Sequence, residues 1–115
     1  MADKYEFAVV PLTGTEAQVE WARRIRPMVN ADFDRVAAAF REAAQKQTYL
    51  KRIETTKILA ILEDKRAEVM RNEEAGYFIR EWQEITDQVR KLIFRDPRYE
   101  AMKKEGDRDR TIQYD

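Results

Sequence analysis

The sequence lacks the residue types on which most active sites and metal centres depend. It has no cysteine and no histidine, and serine occurs nowhere among its 115 residues. Disulfides and cysteine zinc sites are therefore excluded. The commonest general base, metal ligand and hydroxyl nucleophile are missing as well. We predict a protein that is not an enzyme, with no catalytic residue, no metal ligand and no cofactor.

Glycine, proline and long apolar runs are also scarce. Three glycines and three prolines in the whole chain indicate long elements joined by few turns. Apolar runs such as ILAIL at 58–62 are far too short to cross a bilayer. The sequence begins without the basic start and apolar run of a signal peptide. We therefore expect a cytoplasmic protein with no membrane contact.

The chain also lacks an excess of either positive or negative charge. The chain carries 22 basic and 22 acidic side chains, so its formal net charge is zero. A protein that binds DNA non-specifically is usually strongly basic, because neutralising phosphates supplies its affinity. Here the two signs are interspersed, which is typical of a solvated surface with many salt bridges.

The apolar residues that are present recur at helical spacing along most of the chain. We predict an all-α fold, a helical bundle of about four main helices plus a short C-terminal helix, with a short extended N-terminal arm. Residues 1–106 form the single helical domain, with the arm at 1–11. The charged tail at 107–115 is either disordered or paired with the arm.

Helices are expected at about 31–54, 57–71 and 74–94, after a first helix that is capped near residue 15. Pro27 should kink or end that first helix. The next break falls between residues 47 and 57, with Thr55-Thr56 as the preferred site. The C-terminal helix should begin with Asp96 as cap and Pro97 as its first residue, and Gly106 should close it.

The segment LTGTEAQVEWARRIR, residues 12–26, is interpreted as the start of a helix. Thr13 with Glu16 and Thr15 with Gln18 both have the spacing of a capping box, in which two side chains satisfy free amide groups reciprocally. A phosphate-binding loop would need several glycines and usually a nearby lysine. This segment has Gly14 alone, so a structural role is favoured.

The same segment resembles one of the form L-T-G-S-x-x-Q-x-x-W-A-x-x-I-R in uncharacterised bacterial and phage-associated proteins. Thr15 replaces the serine, and the identical positions are Leu12, Thr13, Gly14, Gln18, Trp21, Ala22, Ile25 and Arg26. The resemblance implies a bacterial protein with a recurrent structural module and no known chemistry. In that module, Trp21 and Ile25 would anchor the helix to the core.

A coiled-coil-like seam is expected on the 74–94 helix, where apolar residues alternate steps of three and four. Its members are Phe78, Trp82, Ile85, Val89 and Leu92. Such a seam forms either the core of the bundle or the surface between two copies of the chain. The leading hypothesis is a non-enzymatic helical interaction or assembly module that self-associates, with a dimer as the first expectation.

Two alternative functions remain open. A nucleic-acid accessory protein of phage or mobile-element origin would use Arg23, Arg24 and Arg26 beside Trp21. Lys51 and Arg52, from a second basic run, would extend this face if the helices align. The third hypothesis is a Mg²⁺-dependent hydrolase, because carboxylates spaced by three share one helical face. Its residues would be Glu81, Glu84 and Asp87, and Glu84-x-x-Asp87 resembles half of the motif in all-α nucleotide pyrophosphatases of the MazG kind.

Overall fold

The computed structural model describes the backbone of residues 11–113 and the side chains of residues 11–106. It contains five helices, α1 (Glu16–Ala44), α2 (Tyr49–Met70), α3 (Ala75–Trp82), α4 (Gln88–Phe94) and α5 (Pro97–Gln113). Residues 11–113 include no strand, so the all-α prediction is confirmed. Apart from Pro11, the predicted arm lies outside the described residues.

Helix α1 begins with the second of the two expected capping boxes. The Gln18 amide donates to the Thr15 hydroxyl at 3.2 Å, and the Thr15 amide donates to the Gln18 side-chain oxygen at 3.0 Å. Of the two outcomes expected at Pro27, a kink or an end of the helix, the end is wrong, since α1 continues through Pro27 to Ala44. Pro27 and Arg23 are both exposed. Water can therefore bind the Arg23 carbonyl that has lost its amide donor, which makes the proline tolerable.

The expected helix at about 31–54 is wrong, because its first part belongs to α1 and its last part to α2. The break between α1 and α2 lies at residues 45–48, and Thr48 caps α2. The preferred break at Thr55-Thr56 is wrong. Thr55 donates its hydroxyl proton to the Lys51 carbonyl at 3.1 Å, and Thr56 does the same to Arg52 at 2.9 Å. These bonds to the preceding turn allow both threonines to stay inside a helix.

The expected continuous helix at 74–94 is also wrong, because residues 83–87 interrupt it. Helix α3 ends at Trp82 and α4 starts at Gln88, whose side-chain amide donates to the Glu81 carbonyl across the gap. The interruption changes the packing partner, since α3 packs mainly against α1 whereas α4 packs mainly against α2.

Helix α5 starts as the sequence predicts and ends later than expected. The Arg98 amide donates to Asp96 Oδ1 at 2.8 Å, and Pro97 is the first helical residue. The expected stop at Gly106 is wrong, because the helical backbone runs on to Gln113. Part of the predicted tail is therefore helical, and residues 114–115 lie outside the described range.

Helices α1 and α2 form a long antiparallel hairpin, and the shorter helices cover its sides. The core cluster comprises Ala22, Ile25, Val29, Phe33, Val36, Ala37, Ile61, Leu62, Val69, Met70, Ala75, Phe78, Trp82, Val89 and Ile93. The molecule measures 63 × 27 × 19 Å. In the described part of the chain, no helix has the length and apolar character needed to span a bilayer.

Candidate functional site

The LTGT segment joins the starts of two helices. The Thr13 amide donates to the Glu73 carbonyl at 2.6 Å, and the Ala75 amide donates to the Thr13 carbonyl at 2.9 Å. Because Glu74 makes no side-chain cap bond, this backbone bridge satisfies a free amide of α3. Thr15 meanwhile caps α1. The segment is thus a structural clamp: the cap of α1 was predicted from residues 12–26, whereas the bridge to α3 was not.

Gly14 gives the clamp its shape. Its φ of +144° lies in a region that residues other than glycine rarely adopt. A Cβ atom added at this position would lie 2.9 Å from Gln18 Oε1 and 3.3 Å from the Ala75 Cβ. Glycine is therefore needed both for the backbone conformation and for the close approach of α3.

One of the two residues expected to anchor α1 to the core does not do so. Ile25 is buried as expected, but Trp21 is 45% exposed and does not anchor α1 to the core. The fully buried position is its neighbour Ala22. Consecutive helical residues are about 100° apart, so only one of the pair can point at the core. Trp21 instead lies beside the core stripe, on a flank of α1.

The candidate self-association seam is mostly core. Phe78, Trp82 and Val89 are buried, and Ile85 and Leu92 pack partly buried against the same cluster. The rings of Phe33 and Trp82 lie 6.0 Å apart, and the Trp82 indole donates to the Tyr77 hydroxyl at 3.0 Å. The seam is filled within one chain, so it is not a free surface for a second copy.

The candidate nucleic-acid residues do not form one face. Arg23 and Arg24 lie near the start of α1, whereas Lys51 and Arg52 lie at the start of α2, next to the far end of α1. About 20 helical residues separate Arg24 from that end, which is roughly 30 Å. Arg24 pairs with Glu20 at 3.7 Å, and both side chains are well exposed.

Arg26 departs further from the expected cationic face, because its side chain is buried. Burial, together with the nearby charge of Arg23, lowers the pKa of the Arg26 guanidinium. A buried guanidinium cannot meet a phosphate at the surface. The five residues therefore comprise two exposed pairs and one interior group.

The candidate carboxylate triad is not preserved either. The prediction needed Glu81, Glu84 and Asp87 on one continuous helix, but Glu84 and Asp87 fall in the 83–87 interruption. Asp87 pairs with Arg90 at 3.0 Å. Among the described residues, no group of three or more acidic side chains is arranged to hold a metal ion.

A buried polar cluster at Arg66 was not foreseen. Its Nη1 donates to Asn30 at 3.0 Å and to Asp34 at 2.6 Å, and its Nε lies 3.1 Å from Glu63. The guanidinium carbon lies 5.7 Å from the centre of the Phe33 ring. This residue ties α2 to α1 and fixes their register. The only sequence signal was two hydrogen-bond acceptors spaced by four on α1.

A second unforeseen cluster surrounds Asp96, which is buried. Arg98 donates to both carboxylate oxygens at 3.0 Å, and Lys65 lies 3.4 Å away. The hydrogen bonds from Arg98 are the main cause that lowers the pKa of the Asp96 carboxyl far below its usual value. Arg98 also reaches Asp64 at 2.6 Å, so the cluster holds the start of α5 against α2.

The exposed apolar side chains form two main groups on the described surface. On the flank of α1, Trp21 is 45% exposed and Met28 is 60% exposed. At the start of α2, Tyr49 and Leu50 are 71% and 73% exposed, beside Ile53. Contiguous exposed apolar residues mark interaction surfaces more often than active sites.

Two cavities open near these groups. One of about 330 Å³ lies beside Met28, between α1 and Ile85 of the 83–87 segment. The other, of about 210 Å³, lies between Phe40, Ile58 and Met102, close to the turn that joins α1 and α2. The smaller cavity is also lined by Thr55, whose hydroxyl donates to the Gln47 side-chain oxygen at 2.6 Å.

Comparison with protein-family models, with curated proteins and with solved structures found no match for this chain. The evidence for a function therefore comes from the exposed side chains of the molecule itself.

Proposed function

We propose that the chain is a non-enzymatic helical interaction module that associates with a second copy of itself. The observation that carries this proposal is the flank of α1. Trp21 and Met28 are exposed there, although Ala22 and Val29 beside them complete a closed core. Large apolar side chains that the core does not need favour a protein–protein contact.

We propose association through the flank of α1 instead of through the predicted seam. Phe78, Trp82 and Val89 are engaged inside the chain. Using them between copies would require α3 and α4 to leave the hairpin, which would expose the core. Association through residues that are already exposed requires no such rearrangement. The expectation of a cytoplasmic, bacterial setting stays a prediction.

Sedimentation velocity over a range of protein concentrations tests the proposal. The native chain should sediment as a species of increasing mass as its concentration rises. A Met28→Glu variant should shift this transition to higher concentration, because it places a charge among the exposed apolar groups. Thr56→Glu adds a charge at another exposed helical position and is the control. A native chain that stays monomeric throughout would contradict the proposal.

Nucleic-acid binding at the start of α2 is the second candidate. Tyr49 is 71% exposed and lies next to Lys51 and Arg52, an arrangement suited to stacking a base beside a bound phosphate. Fluorescence anisotropy with a labelled single-stranded oligonucleotide would test it. Binding should weaken steeply with added salt and should be lost in Tyr49→Ala. Absence of binding at low salt would exclude this candidate.

A further inference from the structure

Five exposed residues form a regular stripe along α1, on the flank that the other helices leave open. We call it the α1 stripe, and its members are Trp21, Arg24, Met28, Ala31 and Arg35. They are spaced by three, four, three and four residues, the pattern by which one helix packs against another. The stripe is about 21 Å long at the rise of an α-helix.

The 330 Å³ cavity opens beside the middle of this stripe, between Met28, Ala31 and Arg35, and Asp32 is among its lining residues. The Asp32 side chain is only 9% exposed. Its Oδ1 accepts from Arg35 at 2.7 and 3.0 Å, whereas its buried Oδ2 has no hydrogen-bond partner in the described part of the chain. A buried carboxylate oxygen without a donor favours the arrival of a cation.

We infer that two copies of the chain pair through their α1 stripes, antiparallel, about a twofold axis at Met28. This inference rests on the proposed self-association and names its surface. With a twofold axis at residue 28, a residue that precedes Met28 by a given number of positions in one copy lies opposite the residue that follows Met28 by the same number in the other copy. Arg24 of one copy then lies opposite Asp32 of the other, at the cavity.

The same axis sets Trp21 of one copy opposite Arg35 of the other. Arg35 uses its N–H edge to bind Asp32. The flat face of its guanidinium therefore remains available for stacking on the indole ring. The two Met28 side chains meet at the axis, where their flexible chains can fill the space between the helices. Each contact occurs twice, as twofold symmetry requires.

Three alternative arrangements of the two stripes bring like charges together. A parallel pair would set Arg24 against Arg24 and Arg35 against Arg35. Sliding the antiparallel pair by one step of the stripe in one direction sets Arg24 against Arg35. Sliding it the other way sets Glu20 against Asp32. Like charges in direct opposition are unfavourable, so the register centred on Met28 is favoured over these three, because it sets Arg24 opposite Asp32.

The exposed apolar group at the start of α2 is a poorer self-association surface. Tyr49, Leu50 and Ile53 lie among four cations, Lys46, Lys51, Arg52 and Lys57. The one acidic residue within 46–57 is Glu54, which pairs with Lys51 at 3.5 Å. A second copy placed on this surface would bring the same cations into opposition.

Disulfide crosslinking tests the inference directly, because the chain has no cysteine of its own. Under mild oxidation, Met28→Cys should form a crosslinked dimer at least roughly tenfold faster than Leu50→Cys, since the twofold axis holds the two thiols together. Leu50 is at least as exposed as Met28, which makes it a matched control. Helical circular dichroism confirms that both variants are folded.

Charge reversal supplies a second readout. Arg24→Glu should raise the dissociation constant of the dimer roughly tenfold or more at low salt, because two opposed pairs become repulsive. Arg23→Glu makes the same charge change one position off the stripe and should have a much smaller effect. Equal effects of the two reversals would overturn the inference.

The outcomes separate this inference from the proposed function. If the native chain dimerises but Met28→Cys crosslinks no faster than Leu50→Cys, the α1 stripe is not the interface and the self-association proposal stands. If the native chain remains monomeric at every concentration, the self-association proposal itself fails. Fast crosslinking through Leu50→Cys instead would place the interface at the start of α2 and would also overturn the inference.

Discussion

Gly14 shows how one residue can control the meeting of three segments. Its positive φ turns the chain between Thr13, which bonds to the α2–α3 connection, and Thr15, which caps α1. The Cβ of any other residue would press against Gln18 and Ala75. The glycine therefore couples the capping box of α1 to the start of α3.

Gly14→Ala should lower the free energy of unfolding by about 1–3 kcal/mol, through backbone strain and the displaced Gln18 side chain. Urea unfolding followed by circular dichroism measures it. Gly76→Ala is the matched control, because Gly76 lies in α3 and a Cβ there would meet only the end of the Arg80 side chain at 3.1 Å. That control should be neutral or slightly stabilising. Equal losses in both variants would contradict the role of Gly14.

Asp96 gives the molecule a defined response to acid. Its carboxyl has a lowered pKa in the folded protein, chiefly because Arg98 donates to it, whereas in the unfolded chain it titrates near its ordinary value of about 4. The unfolded state therefore binds more protons as the pH falls through that range. The contribution of Asp96 to stability is complete above about pH 5 and is lost progressively below it.

Asp96→Asn tests this, because asparagine still caps a helix but carries no charge. The variant should be less stable than the native chain near neutral pH, and the difference should shrink as the pH falls toward 3. Urea unfolding at a series of pH values measures both. A difference that stays constant across this range would show that the charge of Asp96 contributes nothing.

At the scale of elements, Pro27 lies inside the longest helix. Pro27→Ala restores an amide donor to the Arg23 carbonyl and removes the clash of the ring with the preceding turn. We expect the free energy of unfolding to rise by about 1–3 kcal/mol. Thermal or urea unfolding at a concentration below that of association measures it. A loss of stability would mean that α1 depends on the proline.

The helix starts could be predicted from the sequence because capping is local. Thr15 with Gln18, and Asp96 with Pro97, carry their signal within four residues, and both starts are confirmed. The break at residues 45–48 has a weaker signal, since Lys51 occupies the position where a capping box would have an acidic or amide side chain.

The interruption at 83–87 could not be predicted locally. That segment contains no glycine or proline, and its apolar spacing continues across it. The helix is broken because α3 packs on α1 while α4 packs on α2, and this depends on the whole fold. The same interruption separates the predicted carboxylate triad. Phe78 and Trp82 lie in the core before the interruption, and Val89 lies in the core after it.

For the molecule as a whole, the long hairpin of α1 and α2 determines the elongated shape. The radius of gyration is 17.1 Å, whereas a compact chain of this length would have about 13 Å. An elongated shape leaves one flank of α1 open along several turns. The apolar spacing of the sequence could not show which flank was open, because Trp21 and Ala22 both fit a helical pattern.

Self-association is tested by the molar mass of the native chain, measured by light scattering behind a sizing column at two well-separated protein concentrations. We expect a mass that approaches twice the 13.7 kDa of one chain at the higher concentration. Met28→Glu should have a lower mass under the same conditions. A native mass of one chain at both concentrations would show that this protein does not act by self-association.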